Sequence, residues 1–105
     1  MPRQIILTPE AKADAHDAYG WYEEQDRGLG DDFLGCLESA FLQIAQHPTR
    51  YPIRFDNFRR ILIRRFPFAV YFDHDANNVY IYYVFHCSQN PAKLAKRLRS
   101  GSDPW

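Results

Sequence analysis

The stretch from Phe58 to His86 constrains the fold of this 105-residue chain more than any other segment. It contains three short apolar and aromatic runs, which predict strands at residues 59–64, 68–72 and 79–85. Because the side chains of a strand alternate between its two faces, each run divides into two sets. The sequence therefore predicts an antiparallel sheet with one face buried under helices and the other facing solvent.

The two predicted faces of this sheet differ in chemistry. The buried face collects Ile61, Ile63, Phe68, Val70, Phe72, Val79, Ile81, Tyr83 and Phe85. The solvent-exposed face collects Arg60, Leu62, Arg64, Ala69, Tyr71, Tyr80, Tyr82, Val84 and His86. Arginine, tyrosine and histidine are side chains that recognise phosphates, carboxylates and bases, so we expect the functional surface on the second face.

The segment before the sheet predicts one strand and a helical hairpin. Gln4–Leu7 is a short apolar run, and Thr8 followed by Pro9 is a strong signal for the start of a helix. Two glycines within residues 28–30 predict a turn between the helices. The apolar stripes consist of Ala11, Ala15, Ala18 and Tyr22 in the first helix and of Phe33, Leu37, Phe41 and Ile44 in the second, which ends before Pro48.

These elements predict a single α+β domain over residues 1–99, with a tail at residues 100–105. The predicted order is β-α-α-β-β-β with a short basic C-terminal helix at residues 91–99, and the helical hairpin packs on one face of a small antiparallel sheet. Cys36 and Cys87 match no metal or redox motif and are expected to be reduced thiols of a cytoplasmic protein. We expect no signal peptide and no membrane span, because the apolar runs are too short.

Charge is distributed unevenly along the chain. Residues 1–47 contain nine acids and three bases, a net charge of −6, whereas residues 48–105 contain four acids and ten bases, a net charge of +6. Six arginines lie close together, opposed only by Asp56: Arg50, Arg54, Arg59, Arg60, Arg64 and Arg65. This cluster predicts a cationic surface for an acidic partner, or for single-stranded RNA where tyrosines lie beside it. The alternative is that the arginines keep the sheet soluble and pair with the acidic helices.

The sequence offers few candidates for catalysis. His86 ends the last predicted strand and could act as a general acid or base, although a surface histidine is the commoner case. The acids of the hairpin are better explained by a solvated surface than by a metal or catalytic site, and they are Glu23, Glu24, Asp26, Asp31 and Asp32. Phosphate-binding and serine-hydrolase motifs are absent, and we expect no metal and no cofactor.

The order of elements resembles that of the RelE/ParE toxin superfamily of bacterial type II toxin–antitoxin systems over nearly the whole chain. The helical part is most similar to the ParE-type, plasmid-stabilisation branch. The resemblance is carried by Trp21-Tyr22-Glu23 with Gln25, Gly28-Leu29-Gly30 before Phe33, Pro48, Tyr51-Pro52, Arg64-Arg65-Phe66-Pro67-Phe68 leading to Val70-Tyr71-Phe72, and His86 with Pro91.

This resemblance implies a small cytoplasmic toxin, held inactive in a hetero-oligomer by a cognate antitoxin encoded beside it. The expected target is DNA gyrase, bound without catalysis through Arg60, Arg64, Arg65, Tyr71, Lys93, Lys96 and Arg97. One alternative is a ribosome-dependent mRNA endoribonuclease with the catalytic residues His86, Arg64, Arg60 and Tyr82. Another alternative is a degenerate member that only binds its antitoxin.

Two departures from the family pattern favour the non-enzymatic reading. Relatives that cleave messenger RNA commonly carry an arginine where this chain has Ala69. Many relatives also carry a charged pair before the proline that is Pro91 here, where this chain has the neutral pair Gln89-Asn90. Fewer cations therefore remain to stabilise the charged transition state of RNA cleavage.

Overall fold

A computed structural model of the chain describes residues 2–55 and 57–87. The described elements are β1 (Gln4–Leu7), α1 (Pro9–Gln25), α2 (Leu29–Gln46), a 3-10 helix (Pro48–Arg50), β2 (Ile53–Phe55), β3 (Phe58–Leu62), β4 (Phe68–His74) and β5 (Asn78–His86). The predicted C-terminal helix at residues 91–99, which includes Lys93, Lys96 and Arg97, lies outside the described residues, as does the tail at residues 100–105.

The five described strands form one sheet in the order β1-β5-β4-β3-β2. All neighbouring strands are antiparallel except β1, which pairs with β5 in parallel. Both helices pack on one face of this sheet, which we call the helix face, and we call the opposite face the outer face. The predicted α+β architecture is confirmed.

The start of α1 is fixed by its cap and by the sheet. Thr8 accepts the Ala11 N–H with its hydroxyl oxygen at 3.1 Å and donates the hydroxyl proton to the Tyr82 carbonyl at 3.0 Å. Pro9 occupies the first helical position, where its missing N–H costs nothing. The buried side of α1 then carries three alanines before Tyr22, so its axis can approach α2 closely.

The turn between the helices depends on Glu23 and two glycines. Gly28 has a φ of 89°, a left-handed conformation that glycine adopts without a Cβ clash. The Oε1 atom of Glu23 accepts the N–H groups of Gly28 and Gly30 at 2.9 and 2.8 Å. The carboxylate thereby satisfies two backbone donors at the start of α2, which no side-chain cap would otherwise satisfy.

Replacing Gly30 with alanine is expected to destabilise the fold by about 1–3 kcal/mol, whereas the same change at Gly35 is expected to stabilise it. A Cβ at position 30 would lie 2.7 Å from the backbone oxygen of Tyr19 and 2.6 Å from Cγ of Glu23. A Cβ at position 35 meets nothing within 4 Å, and replacing a helical glycine with alanine contributes about 0.5–1 kcal/mol. Thermal melts measure both changes. If the two alanine variants shifted the melting temperature equally and in the same direction, the close approach of the helices at Gly30 would be contradicted.

A β-bulge in β5 changes which side chains face the helices. Tyr71 pairs with Tyr83 and the next residue, Phe72, pairs with Ile81, so Tyr82 is an extra residue in β5. Before the bulge, Ile81 is buried on the helix face as predicted. After the bulge the faces are exchanged, and the predicted strict alternation through β5 is wrong there.

Because the faces are exchanged, four residues of β5 lie on the face opposite to the one that the sequence predicts. Val84 is buried in the core under the helices, and His86 lies against Phe68 on the helix face with ring centroids 5.0 Å apart. Tyr83 and Phe85 instead lie on the outer face. There they form a second apolar cluster, whose buried members are Phe58, Ala69, Tyr71, Tyr83 and Phe85, each at most 8% exposed. The outer face is therefore not the uniformly solvated surface that the sequence predicts.

Candidate functional site

A groove of about 730 Å³ lies between α2 and the outer edge of β3, and we call it the α2–β3 groove. Its helix side is lined by Asp31, Asp32, Gly35, Cys36, Ser39, Ala40 and Gln43. Its sheet side is lined by Tyr51, Pro52, Arg54, Arg60, Ile61, Leu62, Arg64 and Arg65. The structure thus brings together the three predicted target-binding arginines, Arg60, Arg64 and Arg65.

The sheet side of the groove carries a cationic wall that consists of Arg54, Arg60 and Arg64. Arg60 is half-buried at the edge of the sheet, opposite Tyr71 of β4, whereas Arg54 and Arg64 are exposed. Arg59 has a different role, because it donates to the Tyr51 carbonyl at 2.6 Å and holds the loop before β2. The arginine cluster therefore divides into structural and surface members, which the sequence alone does not separate.

Strand β2 pairs with the outer edge of β3 from Phe58 to Arg60, where the Arg60 N–H donates to the Pro52 carbonyl at 3.1 Å. Beyond Arg60, no strand among the described residues pairs with this edge. Ile63 donates its N–H to the Phe68 carbonyl of β4 at 3.0 Å, and successive residues direct their backbone groups to opposite sides. The backbone groups of Leu62 thus point into the groove, where an extended segment could pair with them.

Arg65 closes one end of the groove in an unusual backbone conformation. Its φ is 71°, and it is the only non-glycine residue with a positive φ among the residues that the structure describes. Its guanidinium lies 3.6 Å from the Asp32 carboxylate and 5.6 Å from the centroid of the Phe66 ring. Both partners of the ion pair are more than half exposed, so the pair contributes at most about 1 kcal/mol to stability.

A second, smaller cleft of about 330 Å³ holds His86. Its described lining consists of Asp14, Asp17, Ala18, Trp21, Tyr22, Phe68, Val84, Phe85 and His86, with no arginine or lysine among them. Asp14 accepts the Val84 N–H at 3.1 Å and so fixes the backbone just after the bulge. His86 therefore lies beside carboxylates and aromatic rings, and none of the arginines of the cationic wall lines its cleft.

The two tyrosines among the predicted site residues are built into the scaffold. Tyr71 is 4% exposed and belongs to the apolar cluster of the outer face, which contradicts its predicted exposure. Tyr82 packs on Phe58 with ring centroids 4.8 Å apart, and burial raises its pKa above the usual value. A phenol with a raised pKa is a poor general base near neutral pH.

The helix side of the groove could not be recognised from the sequence. Asp31 and Asp32 are exposed in the first turn of α2, as expected of a solvated surface, but they also form one end of the groove. Within residues 2–55 and 57–87, no group of histidine, cysteine and carboxylate side chains could hold a metal ion. Over the same ranges, no helix has the length and apolarity to cross a bilayer.

Comparison with known proteins identifies relatives of this fold. Residues 5–91 match the family described as ParE toxin of type II toxin-antitoxin system, parDE. A solved structure of the chromosomal ParDE TA system from P. aeruginosa contains a chain with 16% sequence identity and a TM-score of 0.71. The match covers 80% of this chain and 95% of that chain. No curated protein matches the sequence.

Proposed function

We propose that this chain, which belongs to the ParE toxin family of type II toxin–antitoxin systems, inhibits DNA gyrase by surface contact and is neutralised in the cytoplasm by a cognate antitoxin. The antitoxin binds in the α2–β3 groove. The observation that carries this proposal is the combination of a cationic wall with an open strand edge in one groove. An acidic, extended segment is complementary to both features.

His86 and the arginines line different clefts, which supports a non-enzymatic toxin. Cleavage of RNA requires an acid, a base and a cation that stabilises the phosphate, all within reach of one phosphodiester. His86 lies against Phe68 on the helix face, and Arg60 lies at the sheet edge opposite Tyr71 of the outer face. Tyr82 packs on Phe58, and the described residues that line the cleft of His86 include no arginine or lysine to stabilise a phosphate there.

Growth of cells that express the chain tests its role as a toxin. Expression alone is expected to arrest growth, and co-expression of the product of the adjacent gene is expected to restore it. Copurification of the two proteins would identify that product as the antitoxin. Normal growth at an expression level confirmed by immunoblot would contradict the proposal.

Replacing His86 with alanine is expected to leave growth arrest nearly unchanged, because the proposed mechanism needs no acid or base. A catalytic histidine would behave differently, since its loss typically lowers the rate of cleavage by about 100-fold or more. The readout is colony formation after induction, with Trp21→Ala as a control from the same cleft. Loss of arrest in the His86 variant alone, with a normal melting temperature, would restore the nuclease hypothesis.

A further inference from the structure

We propose that the outer face of the sheet is a docking surface for the chain's own C-terminal segment, residues 88–105. The apolar residues of this segment cover the aromatic cluster of the outer face, and its lysines point away from the sheet. This docking is independent of the target and of the antitoxin. It determines which side chains the outer face presents to either of them.

The aromatic cluster of the outer face is more deeply buried than the described elements explain. Tyr71 and Tyr83, which face each other across β4 and β5, are only 4% and 3% exposed. The described hydrophobic residues of this cluster all belong to β3, β4 and β5, whereas both helices pack on the helix face. Side chains stand roughly perpendicular to a sheet, so aromatic rings on an uncovered face would expose their outer edges to water. We therefore infer that another part of the chain lies over these rings.

The position of Phe85 shows the need for a cover most clearly. Strand β1 pairs with β5 only as far as Ile81, so among the described residues no strand lies beside Phe85 on that side. On the other side the register partner of Phe85 is Ala69, whose side chain is a single methyl group. Phe85 is nevertheless 4% exposed and Ala69 3% exposed. A phenylalanine ring next to an alanine is buried to this extent only when further atoms lie over both residues.

The C-terminal segment starts at the end of the sheet where this cover is needed. Cys87 donates its N–H to the Pro67 carbonyl at 2.7 Å, so the chain leaves β5 directly beyond the paired Ala69 and Phe85. The sequence continues for 18 residues after Cys87 (105 − 87 = 18). A helix over residues 91–99 would be about 13 Å long, and the three strands that carry the cluster span about 10 Å. The segment is therefore long enough to cross the cluster from β5 to β3.

The sequence of the segment suits a surface that is apolar on one side and wet on the other. Leu94 and Leu98 are four residues apart, which places them on the same side of the predicted helix. Lys93 and Lys96 fall on the opposite side. Docking buries the two leucines on aromatic rings and leaves the two lysines in water, as their chemistry requires. The docked segment thus adds cations to the face that carries Arg60, which lies opposite Tyr71.

Nuclear Overhauser effects in the unmodified protein test the docking directly. The methyl protons of Leu94 and Leu98 are expected to show contacts with ring protons of the aromatic cluster. A sample that mixes isotope-labelled with unlabelled chains separates contacts within one chain from contacts between two copies. If neither leucine contacts the cluster, the proposal is overturned. If the contacts occur only between different chains, it is also overturned, and a second copy of the chain is the cover.

Thermal melts of two paired variants measure how much the docking stabilises the fold. Leu94→Ser together with Leu98→Ser is expected to lower the melting temperature by about 10 °C or more, and to increase the fluorescence of a dye that binds exposed apolar surface. Lys93→Ser together with Lys96→Ser changes the same segment on its other side and is expected to shift the melting temperature by less than about 4 °C. Equal shifts for the two pairs would overturn the docking. If the leucine variant does not fold, the proton contacts in the unmodified protein decide the outcome.

Discussion

Replacing Phe33 with alanine is expected to lower the free energy of unfolding by about 3–5 kcal/mol, the largest loss expected of any single truncation in α2. Phe33 is fully buried at the centre of an aromatic cluster between the helices and the sheet. Its ring centroid lies 5.4 Å from Tyr22, 5.4 Å from Phe66 and 5.1 Å from Phe68. Truncation leaves a cavity that these three rings cannot all move to fill.

Urea denaturation measures this loss, with Leu42→Ala as the matched control on the same helix. Leu42 is 64% exposed, so its truncation should change stability by less than about 0.5 kcal/mol. Phe41, which the sequence places at the centre of the stripe, is only partly buried and should give an intermediate loss. Equal losses at positions 33 and 42 would contradict the described packing of α2.

Reversing the cationic wall by Arg60→Glu together with Arg64→Glu is expected to weaken binding of the antitoxin by about 100-fold or more at low salt. The double change replaces two attractive charges with two repulsive ones at the edge where the acidic segment pairs. Binding of the unmodified protein should weaken as salt is raised, because exposed charges are screened. The reversed protein should show a much smaller dependence on salt.

Arg27→Glu provides the control for this reversal, since Arg27 is exposed in the turn between the helices and does not line the groove. Its binding should stay within about twofold of the unmodified protein. If the reversed protein binds the antitoxin as tightly as the unmodified protein at low salt, the cationic wall is not part of the antitoxin interface. Unchanged melting temperatures would show that the variants are folded.

The helical hairpin could be predicted in detail because its signals are local. Thr8 and Pro9 fix the start of α1 through one side chain and one missing donor, and Gly28 fixes the turn through its left-handed backbone. Each of these features depends only on a few neighbouring residues, so the sequence alone is enough to predict it. The prediction did not include the carboxylate of Glu23 as a cap for the turn, since a glutamate in a helix has no preferred partner.

The sheet was predicted less completely, because its register depends on contacts between distant segments. Strand β2 has three residues, Ile53–Phe55, and a run that short carries no periodic signal. The bulge at Tyr82 could not be predicted either, because aromatic and apolar residues occupy both sets of alternate positions in β5. The sequence therefore cannot show that Val84 and His86 face the helices, and the predicted grouping of His86 with the arginines fails for that reason.

The candidate groove could be predicted only in part, on its sheet side and not on its helix side. The cationic residues Arg60, Arg64 and Arg65 could be selected from charge and strand period alone, and all three line it. The helix side comes from α2, which is distant in sequence and meets β3 only after the hairpin packs on the sheet. A site made by the edges of two elements has no motif, so Asp31 and Asp32 could be recognised as part of it only in the folded structure.

DNA supercoiling by purified gyrase in the presence of the purified protein is the decisive test of the proposed target. Supercoiled product is expected to decrease as the concentration of the protein rises, and the antitoxin is expected to restore it. Transcripts in a parallel translation reaction should remain intact, because the proposed mechanism involves no cleavage. Full supercoiling activity at a large excess of folded protein, together with cleaved transcripts on ribosomes, would contradict gyrase inhibition by surface contact.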